Sequence, residues 1–206
     1  MGRHRTIDRE AVLEAAERVV SRDGAARMTL DAVAAEASIS KASVLYDYKT
    51  KDALIRAIID RRVAAENARI TEFVAALGDV PDRLIRGRIA AADRPVSDED
   101  RSVAISLCAA AAQNASLRSP IQTAYADWID RIESSSERPR GALLAFLALE
   151  GLMLLEWFGL HSWPEEEREQ LLAEIDWLRS QSPVSRPNQG ARSKRVPLFE
   201  AGEPTA

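Results

Sequence analysis

Apolar residues recur at the spacing of an α-helix along most of this chain, and no run of alternating β-branched residues predicts a strand. The first such stripe is formed by Val12, Ala15, Ala16, Val19 and Val20. Asp8 can cap this helix, and Gly24 suits the left-handed residue that closes a helix. The pattern therefore predicts an all-α protein of about nine helices.

Two short helices with a tight turn between them follow the first. One pattern begins after Thr29, and another, Lys41 to Tyr48, begins after Ser40; both residues are good N-caps. Ser38, Ile39 and Ser40 form the connector. This is the layout of a helix-turn-helix, whose second helix can enter the major groove of DNA. Such pairs also occur as purely structural hairpins, so the layout alone leaves both interpretations open.

Charge is distributed unevenly along the chain. Residues 1–62 carry 12 Lys/Arg and 10 Asp/Glu, whereas residues 63–182 carry 12 and 20. The net charge of -4 is therefore an average over a basic segment and an acidic one. Only the first segment is a candidate for contact with phosphates.

Pro and Gly residues divide the remainder into further helices. A long helix begins after Thr50 and is stopped by Gly78 and Pro81. The next predicted helices cover residues 81–93, 98–115, 120–134 and 141–160. Ser162 to Glu165 has the spacing of a capping box before a last helix.

The first 60 residues resemble the tetracycline-repressor (TetR) family. The matching positions are Ala15-Ala16, Gly24, Thr29-Leu30, Val33-Ala34, Ala37, Ile39-Ser40-Lys41, Tyr46 to Lys51 and Ala53-Leu54. The resemblance implies a helix-turn-helix DNA-binding domain at residues 5–62 and a helical ligand-binding and dimerisation domain at residues 63–182. Residues 183–206, rich in Pro and Gly, are expected to be a disordered tail.

The resemblance also implies which residues touch DNA. The expected groove surface and phosphate contacts are Thr29, Ser40, Lys41, Ala42, Ser43, Leu45, Tyr46, Tyr48 and Lys51. Val44 is expected to face the core. Two alternatives stay open: Lys41, Lys49 and Lys51 can be a solvated face, and Tyr48 can be a core residue.

Three positions depart from the family pattern. Ser38 stands where Gly is usual, so a left-handed turn there costs about 1–2 kcal/mol of strain. Leu45 replaces a frequent Tyr, which removes a polar contact and leaves an apolar one to a thymine methyl. Asp47 replaces a frequent His and is expected to repel phosphate unless Lys49 neutralises it.

A ligand pocket is expected among residues on helices that must pack together. The candidates are Leu107, Cys108, Trp128, Glu150, Met153 and Trp157. A carboxylate at Glu150 is either bound to an internal Arg or available to a cation. We therefore expect a largely apolar effector that can carry positive charge. The alternative for the tryptophans is core filling.

Enzymatic and metal chemistry find little support in the residue types. His4 and His161 are the only histidines, and no HExxH, CxxC, GxSxG or GxxxxGK pattern occurs. We expect no catalytic residue, no metal and no cofactor. A lone Cys108, the lack of a signal peptide and the lack of a membrane segment predict a cytoplasmic protein.

These observations predict a homodimeric transcriptional regulator. It would bind a double-stranded DNA operator, most simply as a repressor, and a small-molecule effector would release it. By resemblance, residues 141–160 and 163–181 would pair with their mates. Two alternatives differ in class: a helical protein-interaction or adaptor module without DNA binding, and an enzyme that uses Glu150 or Glu156.

Overall fold

The chain is described by a computed structural model that covers residues 8–94 and 96–183. Within these ranges it contains helices and no strand, which confirms the all-α prediction. The helices are α1 (Arg9–Asp23), α2 (Leu30–Glu36), α3 (Lys41–Asp47), α4 (Lys51–Ala76), α5 (Arg83–Ala92), α6 (Asp98–Gln113), α7 (Ala115–Ser135), α8 (Pro139–Trp157) and α9 (Glu165–Leu178). Among the described helices none has the length and apolar character needed to span a membrane. The expected tail lies, apart from Pro183, outside the described residues.

The first four helices begin where the sequence predicts. The side chains of Asp8, Thr29, Ser40 and Thr50 each accept a hydrogen bond from a backbone N–H in the first turn of the helix that follows. Gly24 closes α1 with φ 80°. These caps satisfy N–H groups that would otherwise lack partners, and they fix the residue at which each of the four helices begins.

Two core clusters are found along the chain. The first cluster joins α1 to α4 with one side of α6 and the start of α7, and its fully buried members include Val12, Val44, Leu54 and Ile58. Leu107 of α6 belongs to it as well. The second cluster lies among the remaining helices and contains the larger side chains Trp128 and Phe146.

The long helix α4 connects the two clusters. It is a single helix of 26 residues that runs through residues 62 and 63, where we expected one domain to end and the next to begin. Ile58 lies in the first cluster and Ile70 in the second. Gly87 of α5 lets that helix approach closely, because a Cβ there would lie 2.9 Å from the Cα of Val74 in α4.

The later helices begin near the rough predictions, and α7 differs most from its predicted start at residue 120. Helix α7 begins at Ala115 and contains Pro120, whose missing N–H leaves the Ser116 carbonyl free; Arg56 Nη1 donates to that oxygen at 2.8 Å. Helix α9 has no side-chain cap from Ser162. Three glutamates in its first turn interact favourably with the positive end of the helix dipole and stabilise this end instead. Helix α8 begins at Pro139, since Pro is well suited to the first helical position.

Candidate DNA-binding interface and effector site

The turn between α2 and α3 sets the angle between these helices. Ser38 adopts φ 54°, the left-handed conformation expected at this position. Its N–H donates to the Ala35 carbonyl at 3.1 Å, and the N–H of Ile39 donates to the Ala34 carbonyl at 3.0 Å. The Ile39 side chain packs against the first cluster. The turn is thus anchored at both its backbone and its apolar residue.

One face of α3 is buried and the opposite face is open. Val44 is 0% exposed and lies in the first cluster, as expected. Lys41 and Ala42 are exposed, Ser43 and Leu45 are half-buried, and Tyr46 is 73% exposed. An aromatic side chain this exposed at a helix surface is available to a partner.

The charged groups around α3 pair differently from the expectation. Arg9, at the start of α1, neutralises Asp47 with its Nη2 2.7 Å from Oδ1, so Lys49 is not the partner. Hydrogen bonding to Asp47 raises the pKa of Arg9. Lys49 instead donates to the Tyr46 carbonyl at 2.9 Å, with its ammonium 5.4 Å from the Tyr46 ring centre. Asp47 therefore adds no free negative charge beside α3.

Three other expected contacts also have structural partners. Tyr48 packs against the first cluster, and burial raises the pKa of its hydroxyl. Lys51 Nζ donates to the Ala26 carbonyl at 2.5 Å, and Lys41 Nζ lies 2.8 Å from an Asp31 carboxylate oxygen. The Lys41 pair is exposed on both sides, so it costs little to exchange for a phosphate.

Glu150, a pocket candidate, is bound inside the protein. Its carboxylate accepts a hydrogen bond from Arg88 Nε at 2.9 Å and one from the Tyr125 hydroxyl at 2.6 Å. The Arg88 guanidinium lies 5.1 Å from the ring centre of Phe146 and 5.6 Å from that of Trp128. Burial and the Glu150 charge raise the pKa of Tyr125. The carboxylate therefore has an internal cation, and no ligand cation is needed to balance it.

The other five pocket candidates are spread over different places. Leu107 is buried in the first cluster, and Trp128 is buried in the second, with its Nε1 donating to Asn67 at 2.7 Å. Cys108 is exposed. Met153 and Trp157 line a cavity of about 530 Å³ that is bordered by α4, α5, α6, α8 and α9.

Two family models match the chain. Residues 12–58 match "Bacterial regulatory proteins, tetR family", and residues 82–178 match "Tetracyclin repressor-like, C-terminal domain". Together these segments cover more than half of the 206 residues. The chain belongs to the tetR family. It is accordingly a DNA-binding transcriptional regulator.

Several solved structures share the fold of this TetR regulator. A family member from Streptomyces coelicolor A3 is 24% identical, with a TM-score of 0.65 and coverage of 81% of this chain and 96% of that one. A transcriptional regulator from Rhodococcus sp. Rha1 is 20% identical, with a TM-score of 0.68 and coverage of 86% and 98%. The multidrug binding protein EbrR, complexed with imidazole, is 23% identical, with a TM-score of 0.65 and coverage of 91% and 100%. No curated protein matches the sequence.

Two residues of this TetR regulator were missed by the sequence reasoning. Arg9 neutralises Asp47, and Arg88 holds Glu150. A signal for Arg88 exists, because it lies between Ile85 and Ile89 on the apolar side of a helix, where a charge needs a buried partner. No comparable signal marks Arg9, which opens a helix among other polar residues.

Proposed function

We propose that this TetR regulator is a repressor that inserts α3 into the major groove of its operator and leaves the DNA when a small molecule binds. The observation that carries the proposal is the two-sided character of α3, with Val44 fixed in an aliphatic core and Tyr46 open to a partner. A helix held in this way can meet base edges without losing its own packing. The role is non-catalytic and the proposed location is the cytoplasm.

The proposed DNA-contacting set remains the one expected from the sequence. Lys41, Ala42, Ser43, Leu45 and Tyr46 would face the groove. Further contacts, to the phosphates or through a helix cap, are assigned to Thr29, Ser40, Tyr48 and Lys51. Residues 5–62 would form the DNA-binding domain and residues 63–182 the sensing and dimerising domain, with α4 continuous between them.

Salt-dependent DNA binding tests the groove assignment. Removing the charge of Lys51 by Lys51→Gln should weaken binding to all sequences alike and reduce the salt slope by about 1. Tyr46→Ala and Ser43→Ala should instead change which base is preferred, by about 1–3 kcal/mol. Arg140→Gln, at an exposed position on α8, is the matched control. Unchanged affinity and preference in all three variants would contradict the assignment.

We propose that the regulator is a homodimer that pairs through α8 and α9. Exposed residues recur along α8 at alternating steps of three and four. The series is Leu144, Leu147, Gly151, Leu154 and, directly after the helix, Phe158, and all except Gly151 are apolar and large. This is the spacing of a helix-pairing seam. Trp177 on α9 is 60% exposed and can extend the surface. A homodimer also agrees with DNA binding, because a single helix-turn-helix makes few base contacts and a second copy doubles them.

Light scattering and DNA binding together test the dimer. The double variant Leu147→Lys and Leu154→Lys should give a monomer that no longer binds a palindromic operator. Tyr46→Ala should stay dimeric while its DNA preference changes. A dimer that survives both lysines would exclude this surface as the interface.

The effector is proposed to be a small molecule bound within the second domain. The structural neighbour EbrR was solved with imidazole, so at least one protein with this fold binds a small aromatic molecule. Because Glu150 is already paired with Arg88, a positive charge is no longer the expected feature of the effector. DNA release measured by fluorescence anisotropy against a metabolite library tests the effector proposal; no release by any compound would contradict it.

A further inference from the structure

A cavity at the junction of α5, α8 and α9 has two chemically different kinds of lining residue. Its volume of about 530 Å³ falls within the roughly 300–1,000 Å³ typical of small-molecule sites. Its lining includes the soft and aromatic side chains of Met153, Trp157 and Trp163. It also includes the guanidinium groups of Arg94 and Arg101. A cavity with both kinds of lining can take a ligand that carries a ring and a charge.

The half-buried acidic group in the lining of this cavity, Glu156, is already neutralised. Glu156 Oε1 lies 2.7 Å from Arg168 Nε, and Arg168 also donates to the Ala92 carbonyl at 2.8 Å and lies 3.5 Å from Asp93. The lining carboxylates Glu165 and Glu169 are exposed to solvent on α9. Neither buried nor exposed acids therefore supply a desolvated negative charge for a cationic ligand.

Arg94 and Arg101, which line the cavity, have hydrogen-bond donors that are not used in ion pairs among the described residues. Arg94 stacks its guanidinium 4.9 Å from the Phe73 ring centre, and it forms no ion pair within residues 8–94 and 96–183. Arg101 pairs through one nitrogen with Asp98, whose side chain is 90% exposed. A guanidinium presents five N–H donors in a planar fork that fits a carboxylate. The free hydrogen-bonding capacity of the site is thus positive.

We propose that this cavity binds an aromatic carboxylate, with the ring against Trp157 and Trp163 and the carboxylate on Arg94 and Arg101. The proposal rests on the proposed function, since it names the chemical class of the effector.

The position of Arg101 connects this site to the DNA-binding helices. Arg101 borders a second cavity, of about 540 Å³, between α6 and the end of α1. On the same helix, the Ser106 hydroxyl oxygen accepts a hydrogen bond from the Ala25 N–H at 2.7 Å. A ligand that draws Arg101 toward its carboxylate therefore acts on the helix that holds the α1–α2 turn.

Three probes with one ring and different head groups test the charge preference of the site. They are 3-phenylpropionate, 3-phenylpropionamide and 3-phenylpropylamine, with binding to the full chain followed by tryptophan fluorescence and calorimetry. We expect the carboxylate to bind at least about tenfold more tightly than the amide, and the amine to bind most weakly, as charge-assisted bidentate contacts require. Arg94→Gln should reduce carboxylate affinity about tenfold. Arg83→Gln, an exposed position on α5 outside the cavity, should leave it unchanged.

The outcomes separate this proposal from the broader one. Three results would overturn the aromatic-carboxylate site: tighter binding of the amine, an unchanged carboxylate affinity in Arg94→Gln, or no carboxylate binding in the millimolar range. If the same preparation binds DNA, the proposal that the protein is a DNA-binding regulator still stands. If the wild-type protein shows no specific DNA binding, the DNA-binding part of the proposed function is contradicted instead. A carboxylate that binds selectively and loses affinity in Arg94→Gln supports the site, whether or not this particular probe releases DNA.

Discussion

The two core clusters of this regulator are built from different kinds of side chain. The first contains Val, Ile, Leu, Ala and Met residues and holds the helix-turn-helix. The second contains Trp128 and Phe146, and two charged residues are buried beside it, Arg88 paired with the half-buried Glu150 and Asp82 paired with the half-buried Arg179. In the first region an ion pair joins Asp47 to the exposed Arg9 at the surface of the helix-turn-helix. Close-packed aliphatic side chains define one arrangement, because each fits its neighbours by shape. Buried ion pairs depend instead on a partner that must stay in place.

This difference agrees with the two tasks that we propose for the protein. A groove-reading helix such as α3 must keep its position relative to the duplex, and Val44 and Leu54, both 0% exposed, fix its inner side. A sensing domain must change its geometry when a ligand binds, since a ligand that binds two states equally shifts nothing. The pair of Glu156 with Arg168 lines the cavity of about 530 Å³ and is suited to this role, because a charged ligand there competes directly with it.

The largest expected effect concerns the buried pair in the second cluster. Arg88→Ala should lower the free energy of unfolding by about 3 kcal/mol, since Glu150 would remain as an uncompensated charge in a poorly solvated site. The double variant Arg88→Met with Glu150→Leu should recover most of this loss, because both charges leave together. Urea unfolding followed by circular dichroism measures both. Equal losses in the single and double variants would show that packing, not charge, stabilises this site.

The next comparison uses one residue from each region with the same unusual backbone. Ser38 and Asp82 are the two non-glycine residues with positive φ in the described chain, at 54° and 56°. Ser38→Gly should raise the free energy of unfolding by about 0.5–1 kcal/mol, because glycine adopts this backbone conformation without strain and the exposed Ser38 side chain has no partner to lose among the described residues. Asp82→Gly should lower it by about 1–2 kcal/mol, because Arg179 Nη1 loses a carboxylate at 2.9 Å.

Thermal and urea unfolding of the two glycine variants give the signs directly. Asn at each position is the matched control, since it tolerates the left-handed region better than other side chains do. The same sign at both positions would mean that backbone strain outweighs the Asp82–Arg179 pair, and the proposed contrast between the regions would not hold.

The features that the sequence predicts well are local. Helix caps at Asp8, Thr29 and Ser40 join atoms two or three residues apart, so the residue types alone define them. The apolar stripe of α1 and the buried position of Val44 follow from helical spacing in the same way. These features cover most of the helix-turn-helix.

The errors concern partners that packing brings together. Arg9 and Asp47 are 38 residues apart, and Arg88 and Glu150 are 62 residues apart. Sequence spacing does not identify the partner in such pairs. It suggests Lys49 as the group that could neutralise Asp47, and it leaves Glu150 open between an internal Arg, which the structure shows to be Arg88, and a ligand cation. The pocket was difficult for the same reason, because Leu107 points to the first cluster while Met153 and Trp157 line the cavity.

The smallest expected effect is a coupling between α4 and the start of α7, both of which contribute to the first cluster. Pro120 leaves the Ser116 carbonyl without a helical donor, and Arg56 of α4 takes that oxygen. In the wild type, Arg56→Met should therefore lower the free energy of unfolding by about 1 kcal/mol. In a Pro120→Ala background the restored N–H can bond the same carbonyl, and Arg56→Met should cost only the exposed pair with Asp60, which is worth about 0.3–0.5 kcal/mol.

A double-mutant cycle of Arg56 and Pro120, measured by urea unfolding, isolates this coupling. Asp60→Asn in both backgrounds is the control, because Asp60 bonds Arg56 without touching α7. Additive losses would mean that the Ser116 carbonyl is satisfied without Arg56. A non-zero coupling energy would show that the proline inside α7 makes the start of this helix depend on Arg56 of α4, so that a residue of the proposed DNA-binding domain completes the hydrogen bonding of a helix in the proposed sensing domain.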